Sequence, residues 1–265
     1  MKLCISNIAW SKNQNAKVIN LLKKEKIKYL EYAPDLLLNK IRSKKNITDT
    51  KKFWKKNKIN LYSMQSILFN VKNAFVFGNL SQQNKFYEEI KKKIYLAKKL
   101  GSKVIVFGSP KSKKTFGKTK KELDVIFEKN IRKIIKICQN QKIIFCLEAN
   151  PKIYNSKYLT HTFHALSCVK KIKNKFLKLN LDLGTIISNK ESYMNLIRYN
   201  QKLIGHVQVS CPKLQNPILY KKSVKKFISV LNKYNYNKVV SIEFLKRKKT
   251  NYNDLKKIIK LVKNV

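Results

Sequence analysis

The chain has 265 residues and carries 60 Lys and Arg against 14 Asp and Glu, a formal net charge of +46. Only four of the basic residues are Arg (Arg42, Arg132, Arg198, Arg247). The Lys, Asn and Ile surplus follows A/T-rich codon usage, so the charge reads as background rather than as a nucleic-acid interface, where Arg usually makes the bidentate contacts. With 43% hydrophobic and 11% aromatic residues the chain is not disordered, and no apolar run reaches the roughly 18 residues of a membrane span.

Apolar, β-rich runs recur along the chain with helix-like segments between them. In order they are 3–10 (LCISNIAW), 29–33 (YLEYA), 59–67 (INLYSMQSI), 103–110 (KVIVFGSP), 142–150 (KIIFCLEAN), 176–184 (FLKLNLDLG), 203–211 (LIGHVQVSC) and 238–245 (KVVSIEFL). Between them, 83–100 places Phe86, Ile90, Ile94 and Ala97 on one helical face and stops at Gly101. Residues 121–140 carry Leu123, Ile126, Phe127, Ile131, Ile134 and Ile135 at three- and four-residue steps, and Leu255, Ile258, Ile259 and Val262 repeat the pattern at the C-terminus. The stretches 36–57 and 111–118 read as irregular. Eight apolar strands alternating with amphipathic helices predict a parallel sheet covered on its outer face. At this length that is one (β/α)8 barrel domain spanning 1–265, with the lysines on the helices' solvent faces.

The five cysteines (Cys4, Cys138, Cys146, Cys168, Cys211) contain no CxxC pair and read as reduced thiols. The N-terminal Met-Lys-Leu-Cys-Ile runs into a strand without the apolar core of a signal peptide. A cytoplasmic location is expected, with neither a membrane nor a nucleic acid as partner.

With so few acids, their placement is informative. Most fall on helical surfaces, but Glu31, Glu148, Asp182 and Glu243 sit near the C-terminal ends of apolar strands. Burying a carboxylate there is unfavourable unless cations or donors compensate it, and in a (β/α)8 barrel that end is the active-site face. For any one of them a salt bridge to a nearby Lys would be explanation enough. Glu148, Asp182 and Glu243 together, on the fifth, sixth and eighth strands, suggest a shared site. The seventh strand adds His206 and Gln208, which alternation points the same way. Such an oxygen-rich set suits one divalent cation, Mn²⁺ or Mg²⁺ before Co²⁺ or Zn²⁺, although the spacings of 34, 26 and 35 residues match no local metal motif.

At these residues the chain resembles the xylose-isomerase-like superfamily of sugar and sugar-phosphate isomerases and epimerases. The segments that carry the likeness are CLEANPKIY (146–154), LDLGT (181–185), GHVQVS (205–210) and SIEF (241–244), backed by YSMQS (62–66) and AKKLGSKVIVFGSP (97–110). The resemblance implies one divalent metal held by Glu148, Asp182, Gln208 and Glu243. It also implies that Glu148 and Glu243 act as the catalytic pair, moving a proton on the carbon beside a carbonyl through an enediolate. Many epimerases of this group have His where Gln208 stands, whereas hydroxypyruvate-isomerase-like members have Gln. The His that epimerases tend to carry three positions after the strand-six Asp is replaced here by Thr185, and the Arg that often follows the strand-seven motif is absent.

The implied substrate is a sugar, a sugar phosphate or a keto acid, and a homodimer is compatible with the family. Hydroxypyruvate isomerisation and keto-inositol dehydration are alternatives within it. An apurinic-site endonuclease of the endonuclease-IV type needs a His-rich three-zinc cluster, which three His cannot build. A non-catalytic basic nucleic-acid binder is the alternative from another class. Further substrate-binding candidates are His206, Asn150 (sharing the orientation of Glu148), Lys111 in the loop after the fourth strand, and Trp10 at the end of the first. His161 and His164 read as surface residues of a helix.

Overall fold

The computed structural model describes residues 1–38, 43–247 and 252–265. Eight parallel strands close into a barrel in sequence order: β1 (Lys2–Ser6), β2 (Tyr29–Tyr32), β3 (Asn60–Met64), β4 (Val104–Phe107), β5 (Ile144–Leu147), β6 (Leu177–Asp182), β7 (Ile204–Val209) and β8 (Val239–Ile242), with β8 pairing back onto β1. All eight expected strands are present, each shorter than its apolar run.

The helices lie between the strands: α1 (Asn15–Lys24), α2 (Pro34–Leu37), α3 (Lys44–Lys56), α4 (Leu80–Leu100), α5 (Lys120–Gln141), α6 (Thr162–Ile172), α7 (Leu183–Asn189), α8 (Met194–Asn200), α9 (Lys221–Lys233) and α10 (Tyr252–Lys263). The two longest are well signalled. Asn79 and Thr119 cap α4 and α5 in reciprocal boxes with Gln82 and Glu122, and Gly101 closes α4 at φ +88°, a conformation that favours glycine.

The stretch 36–57 is not irregular throughout. It holds α3, whose start is capped by Ser43 accepting from the Asn46 N–H. Only Ile47 and Trp54 are buried on this helix, so its periodicity rests on two anchors seven residues apart in a lysine-rich run. Residues 39–42 of that stretch lie outside the described residues. Glu191, expected on a helix, sits after α7, where its carboxylate accepts from the Thr162 N–H at the start of α6. In 111–118, one 3-10 turn (Pro110–Lys113) is the only helical piece.

The large apolar core fills the space between sheet and helices. A second, small cluster is formed by Val104, Val106 and Cys146, with Tyr62 and Ile144 against it. Above it, toward the C-terminal ends of the strands, the barrel interior turns polar, because alternation carries β5 from Cys146 to Glu148, β6 through Asn180 to Asp182, β7 through His206 to Gln208 and β8 from Ser241 to Glu243. Register shifts at Leu30/Glu31 and Leu179/Asn180 mark where β2 and β6 adjust to this layer.

Candidate active site

The polar interior has two layers. In the lower one Glu31 is fully buried and meets four donors. Its Oε1 accepts from Gln208 Nε2 (3.0 Å) and Ser241 Oγ (2.8 Å). Its Oε2 accepts from Ser63 Oγ (2.9 Å) and lies 2.8 Å from His206 Nε2. Burial works to raise the Glu31 pKa, but the His206 charge and the hydrogen bonds from His206, Gln208 and Ser241 outweigh it and hold the group below the ordinary carboxylate range.

His206 and Gln208 do point the same way, both onto Glu31. His206 is fully buried with its ring 6.2 Å from that of Tyr62. The structure thus places it in the lower layer, on Glu31.

The upper layer is the mouth. Glu148 follows β5, Asp182 ends β6 and Glu243 follows β8. Burial and the Asp182 charge push Glu148 up to about 8. Burial, then the charges of Glu31, Glu148 and Asp182, push Glu243 well above its usual range. Asp182 is raised by burial and by Glu31, against the hydrogen bonds it accepts. Those bonds are from the Thr185 N–H (2.6 Å), which makes Asp182 the N-cap of α7, and from Ser210 Oγ. Glu148 Oε1 accepts from Asn150 Nδ2 (2.9 Å) and Oε2 from Asn180 Nδ2 (3.3 Å). Among the described residues no donor reaches the Glu243 carboxylate. The structure therefore brings Glu148, Asp182, Gln208, Glu243 and Asn150 together.

Two other candidates lie elsewhere. Trp10 is buried, donates from Nε1 to Asn15 Oδ1 (2.8 Å) and lines a cavity of about 740 Å³ with Asn7, Asp35, Trp54 and Lys246. None of the mouth carboxylates lines that cavity. Lys111 is exposed beside Lys114 and Phe116. Two residues on, Lys113 is fully buried, with Nζ 2.7 Å from Asn150 Oδ1. Burial pulls it down to about 7, against the opposing pull of the Glu148 charge.

Sequence reasoning missed Lys113, because one lysine in KSKK carries no signal in this chain. It also left Asn180, Ser210 and Tyr154 out of the site. Asn180 was findable, two residues before Asp182 on the same strand face. Tyr154 accepts at its hydroxyl from the Lys213 N–H (2.8 Å), and its pKa is raised by burial and by the charges of Asp182, Glu148 and Glu243. Thr185 donates from Oγ1 to the Ala149 carbonyl (3.0 Å), a structural tie between α7 and the loop after β5. His161 is the exposed N-cap of α6, and His164, half-buried on that helix, lies 3.8 Å from Asp124.

A family model described as xylose isomerase-like TIM barrel matches residues 19–264. The chain belongs to that family. Among solved structures, the xylose isomerase-like barrel described here is similar to 3-keto-D-glucoside 4-epimerase (YcjR) from E. coli in its apo form, with 14% identity and a TM-score of 0.81 over 100% of both chains. It is also similar to D-psicose 3-epimerase crystallised in the presence of D-fructose, with 18% identity and a TM-score of 0.76 over 97% of this chain and 89% of that one. A third is the IOLI protein with a bound zinc atom, at 17% identity and a TM-score of 0.71 over 100% and 96%. A comparison with curated protein sequences returns no match.

The mouth's donor set is chemically suited to a hard divalent cation. It consists of three mutually repelling carboxylates, the Gln208 amide oxygen, and the buried Asn180 Oδ1, which has no hydrogen-bond partner. Among the described residues, however, no three His, Cys, Asp or Glu side chains are gathered closely enough to close on an ion.

Proposed function

We propose that the chain is a divalent-metal-dependent isomerase or epimerase of a sugar, sugar phosphate or small keto acid. The observation that carries this is the convergence of Glu148, Asp182 and Glu243 at the C-terminal ends of their strands, each raised by burial and by neighbouring charge, in a barrel whose solved structural neighbours include sugar epimerases. Glu148, Asp182, Gln208 and Glu243 would hold the cation. When bound it would offset their charge and polarise the substrate carbonyl.

The chain's own residues supply the proton chemistry. A carboxylate with a raised pKa is a stronger base than a free one, and its conjugate acid still protonates at neutral pH. Repulsion between Glu148 and Glu243 favours a state in which one is protonated and the other is not. The ionised member takes the proton from the carbon beside the carbonyl. The protonated member returns one, to the same carbon for epimerisation or, for isomerisation, to the neighbouring carbon, with the hydroxyl proton passing to the former carbonyl oxygen. The strongly positive exterior favours an anionic substrate.

The test is a panel of ketoses, ketose phosphates and hydroxypyruvate in D₂O with Mn²⁺ or Mg²⁺. Metal-dependent deuterium uptake beside the carbonyl is expected from the wild type and not from Glu148→Gln or Glu243→Gln. Uptake that ignores both substitutions, or a melting temperature that neither cation raises, would refute the proposal.

A further inference from the structure

We propose that Lys113 is a positioning residue that sets Glu148 by acting through Asn150. This rests on the proton-moving role of Glu148 proposed above.

The turn that carries Lys113 is held in place. Ser109 enters it at φ +49°, Ser112 Oγ donates to the Ser109 carbonyl (2.8 Å), and the Val76 N–H donates to the Ser112 carbonyl (2.9 Å). The Lys113 side chain then runs inward and is fully buried. Burying a lysine is unfavourable unless its nitrogen is matched. The match is not a carboxylate, since among the described residues no ion pair joins Lys113 to an acid. It is the Asn150 amide oxygen at 2.7 Å, with the Glu148 main-chain carbonyl at 3.4 Å.

A lysine nitrogen donates to this oxygen whether or not it is protonated. The contact therefore fixes which end of the Asn150 amide is which. With Oδ1 held by Lys113, Nδ2 faces Glu148 Oε1 at 2.9 Å. Without Lys113 the amide is free to turn its oxygen toward the carboxylate, which repels it. The end of β4 is shaped to leave room for this pair, since a Cβ at Gly108 would come within 2.7 Å of Glu148 Oε1 and 3.0 Å of Asn150 Nδ2.

The experiment compares Lys113→Met, Asn150→Ala and the double variant in the full chain. Deuterium uptake is the first readout, and the ¹³C carboxyl resonance of Glu148, assigned by its loss in Glu148→Gln, is the second. Each single variant is expected to lower kcat about 10- to 100-fold, the range seen when a partner that orients a site residue is removed, with KM within about twofold. The double variant is expected to be no worse than the worse single. All three should move the Glu148 resonance to one common position.

Asn150→Asp keeps an acceptor for Lys113 but replaces the donor to Glu148 with a second carboxylate oxygen, so it should lose kcat while staying folded. An unchanged kcat in Lys113→Met, a double variant whose loss is the product of the two singles, or a Glu148 resonance that Lys113→Met leaves in place would each overturn the proposal. If the wild type exchanges no deuterium on any compound, the proposed function fails, and the resonance alone then decides whether Lys113 sets Glu148.

Discussion

Glu31 and Glu243 are the same residue type, both buried in one barrel, and their environments are opposite. Glu31 meets four donors and is held below the ordinary carboxylate range. Glu243, one layer up, faces other carboxylates, is met by no donor among the described residues, and is driven well above that range. Depth alone does not separate them, since 0% and 7% of their surfaces are exposed. The difference is the number of hydrogen-bond donors supplied by neighbouring strands. The lower carboxylate is a finished part of the barrel, whereas Glu148 and Asp182 meet fewer donors and Glu243 none among the described residues.

The sharpest way to break that comparison is to neutralise the upper layer. Glu148→Gln should lower substrate deuterium uptake by about 10²- to 10⁴-fold, the usual range for a positioned acid–base group. It should keep or raise the melting temperature, because a repelling charge is gone. A variant that keeps its exchange and loses its fold would reverse the assignment of the two layers.

In the lower layer, Glu31→Ala leaves His206, Gln208, Ser63 and Ser241 without their shared acceptor. Removing one partner of a buried, hydrogen-bonded pair typically costs about 3–5 kcal/mol, so urea unfolding should show a loss of that order. A loss no larger than that of Glu243→Ala would show that Glu31 is not the finished carboxylate described here.

The two layers also predict opposite pH limbs in metal-free buffer. Glu148 is raised from 4.5 to about 8. Its contribution is therefore complete below about pH 4.5 and is lost as pH rises toward 8, because the unfolded chain ionises first. Glu31 is lowered, so its contribution is present above the ordinary carboxylate range and is lost as the solution is acidified through its folded pKa. Melting temperatures taken across this range should fall on the alkaline side in the wild type, and Glu148→Gln should flatten that fall. The smallest effect is expected at Lys111, which is exposed and outside both layers. Lys111→Ala should leave deuterium uptake within about twofold of wild type, since surface substitutions away from a site are close to neutral. A larger loss would place the loop after β4 in the site by way of Lys111 and not Lys113.

The barrel was legible because each strand is an apolar run and each long helix carries a clear face, as in Leu123 through Ile135. The mouth carboxylates were legible because acids are rare enough in this chain for three strand-end examples to stand out. The lower layer was only half visible. Glu31 shows as a strand-end acid, but its four partners come from β3, β7 and β8, and no spacing along the chain records that they meet. His206 illustrates the same limit, since alternation gives its direction and not its depth. Lys113 and Lys111 are indistinguishable in KSKK, and only the pinned turn decides which one is buried. Helix α3 was hidden by composition, with two apolar anchors among seven charged residues.

The unequal tethering of the mouth carboxylates has a consequence for motion. Asp182 cannot rotate without releasing the first turn of α7, and Glu148 cannot without breaking its bond to Asn150. Glu243 is held by no such bond among the described residues. The mouth thus pairs two tethered carboxylates with one that no donor among the described residues holds, so under the proposed function Glu243 is the member left to adjust as a cation or substrate enters.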